Sequence, residues 1–321
     1  MKCNVLVSSA GRRVELVEAF KQSLIKYIPQ AKVFCSDINP ELSSACQVAD
    51  GSFSVPRATE EGYIDYLLNL CEQKKIGLVI PTIDTELLVL AKNRHRFLMQ
   101  GTQVIISDEL LISYCRDKRK TAELFDCLDI DQPKILDRSK LTYPCFCKPY
   151  DGSCSVGAVA LFSDSDLTRD MLDNPKNMFM ELIPKSYSEY TIDAYYSKDS
   201  TLKCLVPRKR LEVRGGEVSK GVTRNNFVYD YLLNKVNELK GARGCITFQL
   251  FVNEETQSIK GLEINPRFGG GYPLAHDAGA HYTDWLVREF LNNEDIGFFD
   301  SWEPNLVMLR YDAKVLVRES R

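Results

Sequence analysis

No pair of cysteines in this chain forms a C-x-x-C unit, although 321 residues contain eleven cysteines. Cys3, Cys35, Cys71, Cys145, Cys147 and Cys245 fall mostly inside apolar, strand-like stretches. Cys145 and Cys147 are two apart and share a strand face, as two metal ligands would, yet no second Cys/His cluster follows at zinc spacing. Buried reduced thiols are therefore expected, with a reducing cytoplasm as the compartment. No stretch reaches the ~18 apolar residues of a membrane span, and "MKCNVLVSSAGRR" offers only a short apolar run before two arginines. Neither a membrane span nor a leader is expected. Nor does one sign of charge dominate: 41 Lys and Arg stand against 44 Asp and Glu, a net charge of −3. That balance supplies no long-range attraction to nucleic acid or to anionic lipid, so neither is an expected partner. Internal repeats and low-complexity linkers are also missing.

What is present is an ordinary globular composition, 44% hydrophobic and 26% charged, which can bury a sizeable core divided among two or three subdomains. The first third alternates strand and helix. Residues 3 to 8 read as a buried strand and 13 to 27 as a helix, with Val14, Val17, Phe20 and Leu24 at spacings of three and four. Strands at 31 to 37, 76 to 82 and 102 to 108 alternate with helices at 60 to 75 and 84 to 99, the pattern of an open parallel sheet. Gly11 after the first strand and Asp37 at the end of the second invite a dinucleotide reading, but the G-x-G-x-x-G fingerprint is lacking. From about residue 113 strands follow one another without helices between. They are expected at 143 to 149, 156 to 162, 178 to 183, 188 to 197, 202 to 214, 217 to 223, 244 to 252, 258 to 264 and within 305 to 317. Helices are expected at 117 to 128, 165 to 173, 227 to 240 and 281 to 292. The fold class is thus α/β followed by antiparallel α+β.

Two stretches carry chemistry. "GCITFQLFV" and "SIKGLEI" read as a hairpin joined by a polar loop, in which Glu263 and Asn265 share a face and an even register brings Gln249 opposite Glu263. Three oxygen-bearing side chains without thiolate or imidazole suit Mg²⁺, which binds through one or two carboxylates plus substrate phosphates. Arg267 follows as a fixed cationic fork for phosphate oxygens. In "KPYDGSCSVG", Lys148 at a strand end precedes Gly152, Ser153, Ser155 and Gly157, a run of N–H donors and hydroxyls that can close over phosphates. It is not a Walker A motif, since the lysine precedes the glycines.

In series, these elements resemble the ATP-grasp superfamily, in particular the branch similar to the carbamoyl-phosphate synthetase large subunit and biotin carboxylase. The resemblance implies an N-terminal parallel-sheet pre-grasp domain, residues 1 to 112, and two α+β subdomains clasping ATP, a lid at 113 to 185 and a large subdomain at 186 to 321. "RDKRKTAELF" resembles the family's Asp-Lys helix start, which makes Lys118 a nucleotide-phosphate ligand beside Lys148. "FMELIPKSYSEYTID" resembles the hinge that holds the base, implying Glu181, Leu182 and Ile183 for adenine and Glu189 for the ribose; Pro184 has no N–H, which leaves Ile183 as donor. "LEINPRFGGG" matches E-x-N-x-R, with Gln249, Glu263 and Asn265 as metal ligands and Arg267 on the transferring phosphate. Gln249 stands where many members carry a carboxylate, so the number of ions stays open.

The resemblance implies an ATP-dependent carboxylate-amine ligase, with ATP and Mg²⁺ as cofactors, Mn²⁺ as a substitute for the ion, and an acyl-phosphate intermediate. Its partners would be a small carboxylic acid, an amine or amino acid, and a second copy in a homodimer. Gly269, Gly270 and Gly271 let backbone approach a ligand and are assigned to the acceptor pocket with His276. Arg214, on catalysis, and Lys220, on substrate, flank a Gly-Gly turn and are assigned to a substrate carboxylate. Asp84 and Glu86 are read as helix caps that could equally face the cleft. A grasp-fold kinase and a non-catalytic nucleotide sensor are the alternatives.

Overall fold

The computed structural model describes residues 2–152 and 156–318. The chain begins with β1 (Asn4–Ser8), α1 (Val14–Tyr27), β2 (Val33–Asp37), α2 (Ser44–Val48), β3 (Ser52–Ser54), α3 (Tyr63–Gln73), β4 (Ile76–Pro81), α4 (Asp84–Met99) and β5 (Gln103–Val104). These strands form a five-stranded parallel sheet in the order β3-β2-β1-β4-β5. Alternation along β1 sends Val5 and Val7 to one core and Leu6 to another, so both faces of the sheet are covered, as a parallel sheet requires. The α1 positions Leu16, Val17, Phe20 and Leu24 pack on the first face, and Leu67, Leu87 and Leu90 of α3 and α4 on the second.

Next come α5 (Glu109–Arg116), α6 (Lys118–Cys127), β6 (Ile135–Leu136), β7 (Cys145–Pro149), β8 (Val159–Leu161), α7 (Arg169–Asp173) and β9 (Asn177–Glu181). The strands make a four-stranded antiparallel sheet, β6-β9-β7-β8. Its small core holds Cys145, Cys147, Leu161 and Phe179. Burial raises both thiols' pKa, so they sit as protonated apolar groups, and no group of three or more His, Cys, Asp or Glu side chains placed to hold a metal ion occurs among the described residues.

The remainder comprises β10 (Ser188–Tyr196), β11 (Leu202–Arg214), β12 (Glu217–Thr223), α8 (Phe227–Val236), β13 (Gly244–Asn253), β14 (Ser258–Asn265), α9 (Tyr272–Asp277), α10 (Tyr282–Phe290) and β15 (Val307–Leu309). A six-stranded antiparallel sheet runs β14-β13-β10-β11-β12-β15. One of its faces is covered by α8 and α6, through Val228, Leu232 and Phe125. Tyr195, Cys204 and Val206 on the other face join Trp285 and Leu286 of α10 and the first face of the parallel sheet in one continuous core.

Several expected elements come out shorter. The strand at 102 to 108 is reduced to Gln103–Val104; Ile105 N still donates to Val79 O at 2.9 Å, and the Ile105 side chain packs against Gly244, where an added Cβ would lie 2.4 Å from its Cγ2. The helices at 165 to 173, 227 to 240 and 281 to 292 end as α7, α8 and α10. Sequence periodicity missed α5, in which only Leu111 and Ile112 are buried, and α9, which starts after a glycine run and carries Pro273. No described helix is long and apolar enough to cross a membrane.

Candidate active site

The β13–β14 ladder sets the first part of the site. Gln249 pairs with Glu263 and Thr247 with Asn265, the even register expected, with an irregularity just beyond at Leu250. Glu263 and Asn265 are half-buried on one face, and Asn265 Nδ2 donates to Glu263 Oε1 at 2.9 Å. Pro266 ends the strand, and Arg267 turns its guanidinium toward the pre-grasp sheet. There Nε and Nη2 donate to the two carboxylate oxygens of Asp84 at 2.9 and 2.8 Å, a bidentate pair. Burial pulls the Arg267 pKa down, and the Asp84 carboxylate more than offsets this, so the group stays firmly cationic. Asp84 does not cap α4. Glu86 does, accepting from Thr82 N at 2.8 Å and Ile83 N at 3.2 Å; it is fully buried, and burial raises its pKa despite those bonds and one from Tyr63.

The second part lies where the four-stranded sheet faces β14. Lys148 on β7 is buried, and its pKa is pushed down to about 8, chiefly by burial and then by the Lys118 charge, with Glu263 pulling the other way. Those couplings bring Lys118, Lys148 and Glu263 together in one field. Lys118 opens α6 after the capping Asp117, and its Nζ donates to the Gly152 carbonyl while its own N–H donates to Tyr150 O at 3.0 Å. A narrow apolar cleft begins beside both lysines, walled by Pro133, Ile135, Met178, Met180 and Leu262. Leu182 and Ile183 follow β9 in part-buried positions. The carboxylate of Glu181 accepts from Lys260 Nζ at 3.1 Å, and that of Glu189 from Arg210 Nη1 at 2.6 Å. Ser153 and Ser155 lie outside the described residues.

A third part is a cavity of about 170 Å³ between the β1–α1 turn and the glycine run. Gly269 and Gly270 line it with Ser9, Gly11, Arg13 and Arg310. The glycines are required by what lies behind them. A Cβ on Gly271 would fall 2.3 Å from Arg208 Nη1, and one on Gly269 would fall 3.1 Å from Thr247 Oγ1. Arg208 and Asp193 are both fully buried and joined at 2.7 Å through Nε. Both Nη atoms of Arg208 lack a partner among the described residues. This buried ion pair underlies the loop and does not open on the cavity; it makes the glycines necessary for packing as well as for access.

Four expected residues are not on this cavity's wall: Gly271, which packs on Arg208 instead, Arg214, Lys220 and His276. Arg214 is exposed at the outer end of β11 and pairs with Asp312. Lys220 is exposed and pairs with Glu212 at 2.6 Å. Arg214 sits near the β11–β12 hairpin tip, beyond the last residue paired with β15, whereas Lys220 is paired within the sheet to Glu212 and Leu309 and turns its side chain to the exposed face. His276 is absent from the cavity wall. It stacks on His281 with ring centroids 4.7 Å apart, and burial, then the His281 charge, lowers its pKa. Sequence reading missed Arg13, Glu217, Arg310, Arg208 and Asp193. For Arg208 and Asp193 a signal existed, since each sits at an inward position of a long apolar strand. For the other three there was none, because they meet only across elements distant in sequence.

Two family models match separate parts of the chain. Residues 5–105 match the family model described as PylC-like, N-terminal domain. Residues 173–307 match the model described as ATP-grasp in the biosynthetic pathway with Ter operon. No curated protein matches the chain. Among solved structures it is similar to the biotin carboxylase domain dimer of Hydrogenobacter thermophilus 2-oxoglutarate carboxylase, in complex with MgADP, ADP and bicarbonate. That match has a TM-score of 0.73 at 12% identity, covering 96% of this chain and 74% of that one. It is also similar to Staphylococcus aureus N5-carboxyaminoimidazole synthetase complexed with ADP, with a TM-score of 0.69, 15% identity, and 96% and 80% covered. A third is an L-amino acid ligase from Bacillus licheniformis, at 0.68 and 13%, with 90% and 74% covered. At such identities the likeness is one of fold.

Proposed function

We propose that this chain, whose residues 173–307 match an ATP-grasp family model and whose fold is similar to that of a biotin carboxylase domain, is an ATP-dependent carboxylate-amine ligase. The observation that carries the reading is the coupling of Lys118, Lys148, Glu263 and Arg267 into one charged site, with an apolar cleft on one side and the acceptor cavity on the other. In this reading the base enters where that narrow cleft begins, next to Met180 on β9, with Glu181, Leu182 and Ile183, which follow directly in the chain, for adenine and Glu189 on β10 for ribose.

The residues at the metal position fit a hard cation. Glu263 contributes one carboxylate, Gln249 and Asn265 amide oxygens, and the set is too poor in charge to hold an ion without phosphate oxygens from the nucleotide. When bound, Mg²⁺, or Mn²⁺ in its place, would neutralise charge on the β- and γ-phosphates. The protein's own groups do the rest. Lys148 and Lys118 hold the phosphate chain, and Arg267, kept in place by Asp84, meets the transferring group. A substrate carboxylate oxygen attacks the γ-phosphorus and ADP leaves. An amine nitrogen then attacks the acyl carbon, phosphate leaves, and the nitrogen gives up its proton to solvent. No protein nucleophile is needed, which accords with thiols that are free and mostly buried. Those thiols also fit a reducing compartment such as the cytoplasm. A homodimer belongs to the same proposal, supported by the dimeric carboxylase domain to which the fold is similar.

The test is ADP release by purified protein, with pooled small carboxylic acids, in the presence and absence of pooled amino acids and amines. Release that needs both pools supports the ligase. Release from a hydroxyl compound without any amine would instead indicate a kinase. Glu263→Gln is expected to lower metal-dependent release by at least about a hundredfold while the circular dichroism spectrum stays unchanged; undiminished release would contradict the metal assignment.

A further inference from the structure

The acceptor cavity is built by segments from opposite ends of the chain. Its floor is the turn after β1 with the start of α1; its roof is the glycine run after Arg267. Three guanidinium groups, Arg12, Arg13 and Arg310, stand on this wall with two carboxylates, Glu15 and Glu217. Arg310 is occupied: its guanidinium meets Glu15 at 3.2 Å, Glu217 at 3.5 Å and the Gly270 carbonyl at 3.4 Å. Arg12 is largely in solvent and reaches Glu217 at 3.9 Å.

Arg13 differs from both. Among the described residues its side chain makes no ion pair and no hydrogen bond, although it is part-buried and lines the cavity. Burial lowers its pKa, the Arg267 charge lowers it further, and Glu217 and Asp84 act against this at longer range. A cation in that position is short of an anion. Three positive charges against two negative leave the wall one negative charge short, which suits a carboxylate better than a doubly charged phosphate. Because Arg13 lies at the start of α1, a helix of 14 residues, the positive end of the helix dipole acts in the same direction.

We propose that this cavity binds a carboxylate of the substrate that the ligation leaves unreacted, with Arg13 as its cationic fork. The occupant is then an acid with a second carboxylate, or an amino acid, with its reacting end toward Arg267 and its spectator carboxylate against Arg13. The inference rests on the ligase reading only in calling the occupant a substrate; the anion site is a property of the cavity.

The test uses the full-length protein without nucleotide, titrated calorimetrically with succinate, with neutral succinamide and with inorganic phosphate. Wild type is expected to bind succinate and not succinamide. Arg13→Gln is expected to bind succinate at least about tenfold more weakly, and Arg96→Gln, an exposed control, as wild type does. Arg13→Lys keeps the charge but loses the fork; its intermediate affinity carries the test should Arg13→Gln fail to fold. Succinate binding that survives Arg13→Gln but is lost in Lys148→Met would assign the anion to the phosphate site and overturn the proposal. Arg13-dependent binding of phosphate tighter than that of succinate would overturn the carboxylate assignment. Arg13-dependent succinate binding without ADP release from any acid would retain the cavity site and reject the ligase. ADP release with an acid whose KM is unmoved by Arg13→Gln would do the reverse.

Discussion

Lys148 shows how a single residue joins sequence, packing and reaction. A lysine at a strand end beside a glycine loop was legible as a candidate phosphate ligand. Its depressed pKa was not, because that depends on burial and on Lys118, which arrives from a different element. The consequence has a definite sign. In the proposed role the ammonium form holds phosphate, and in the free protein that form is lost as pH rises through about 8. kcat/KM for ATP is therefore expected to fall above that pH by about tenfold per unit, whereas kcat should hold to higher pH, since bound phosphates favour the charged form. A profile of kcat/KM that stays flat between about pH 7 and 9.5 would contradict this role. Asp84 and Glu86 make the complementary point. They are two residues apart at one helix start, and sequence could not separate them; the fold buries Glu86 as the cap and turns Asp84 onto Arg267.

At the scale of elements, α6 and β14 are locked by the absence of a side chain. A Cβ on Gly261 would lie 2.7 Å from the Phe125 ring, so the helix rests directly on the strand's backbone. Gly261→Val is expected to destabilise the protein by about 1–3 kcal/mol, read by urea denaturation. Since α6 begins with Lys118, the same variant is expected to weaken nucleotide binding although residue 261 itself carries no ligand group. If ATP affinity and stability are both unchanged, the packing account fails. That Glu263 and Asn265 share a face was readable from alternation, whereas the pairing of Gln249 with Glu263 rested on an assumed even register, which the ladder shows. The extent of the β11–β12 hairpin was not readable: nothing local distinguishes a cationic strand end that meets a cleft from one that meets water, and Arg214 and Lys220 meet water.

For the whole molecule, the Asp84–Arg267 pair is a bond between the parallel sheet's helix α4 and the exit of β14. Both side chains are mostly buried, with 16% and 15% exposed, so removing one leaves the other charge poorly compensated. Asp84→Ala is expected to cost about 2 kcal/mol of stability by denaturation and to lower kcat by at least about tenfold through a mobile Arg267. A variant that kept wild-type kcat would exclude a positioning role for Asp84. The pair also explains why the N-terminal sheet is more than a frame for the cleft: it supplies the counter-charge for Arg267 and, through Arg13, one wall of the acceptor cavity.

Periodicity and turn chemistry determined the alternation of the first sheet, the antiparallel succession after it and the shared face of Glu263 and Asn265, while the family resemblance of short motifs singled out Lys118, Lys148, Glu263, Asn265 and Arg267 as candidates. Those features are local, or repeat at the period of a strand or helix, so one-dimensional patterns encode them. Tertiary structure alone decided that Arg214, Lys220 and His276 stand away from the cavity. It also decided that Arg208 and Asp193 lie beneath the glycines and that Arg13, Glu217 and Arg310 meet around one space. Charges hundreds of residues apart interact through distance and burial, and neither quantity is written in the spacing of letters along a chain.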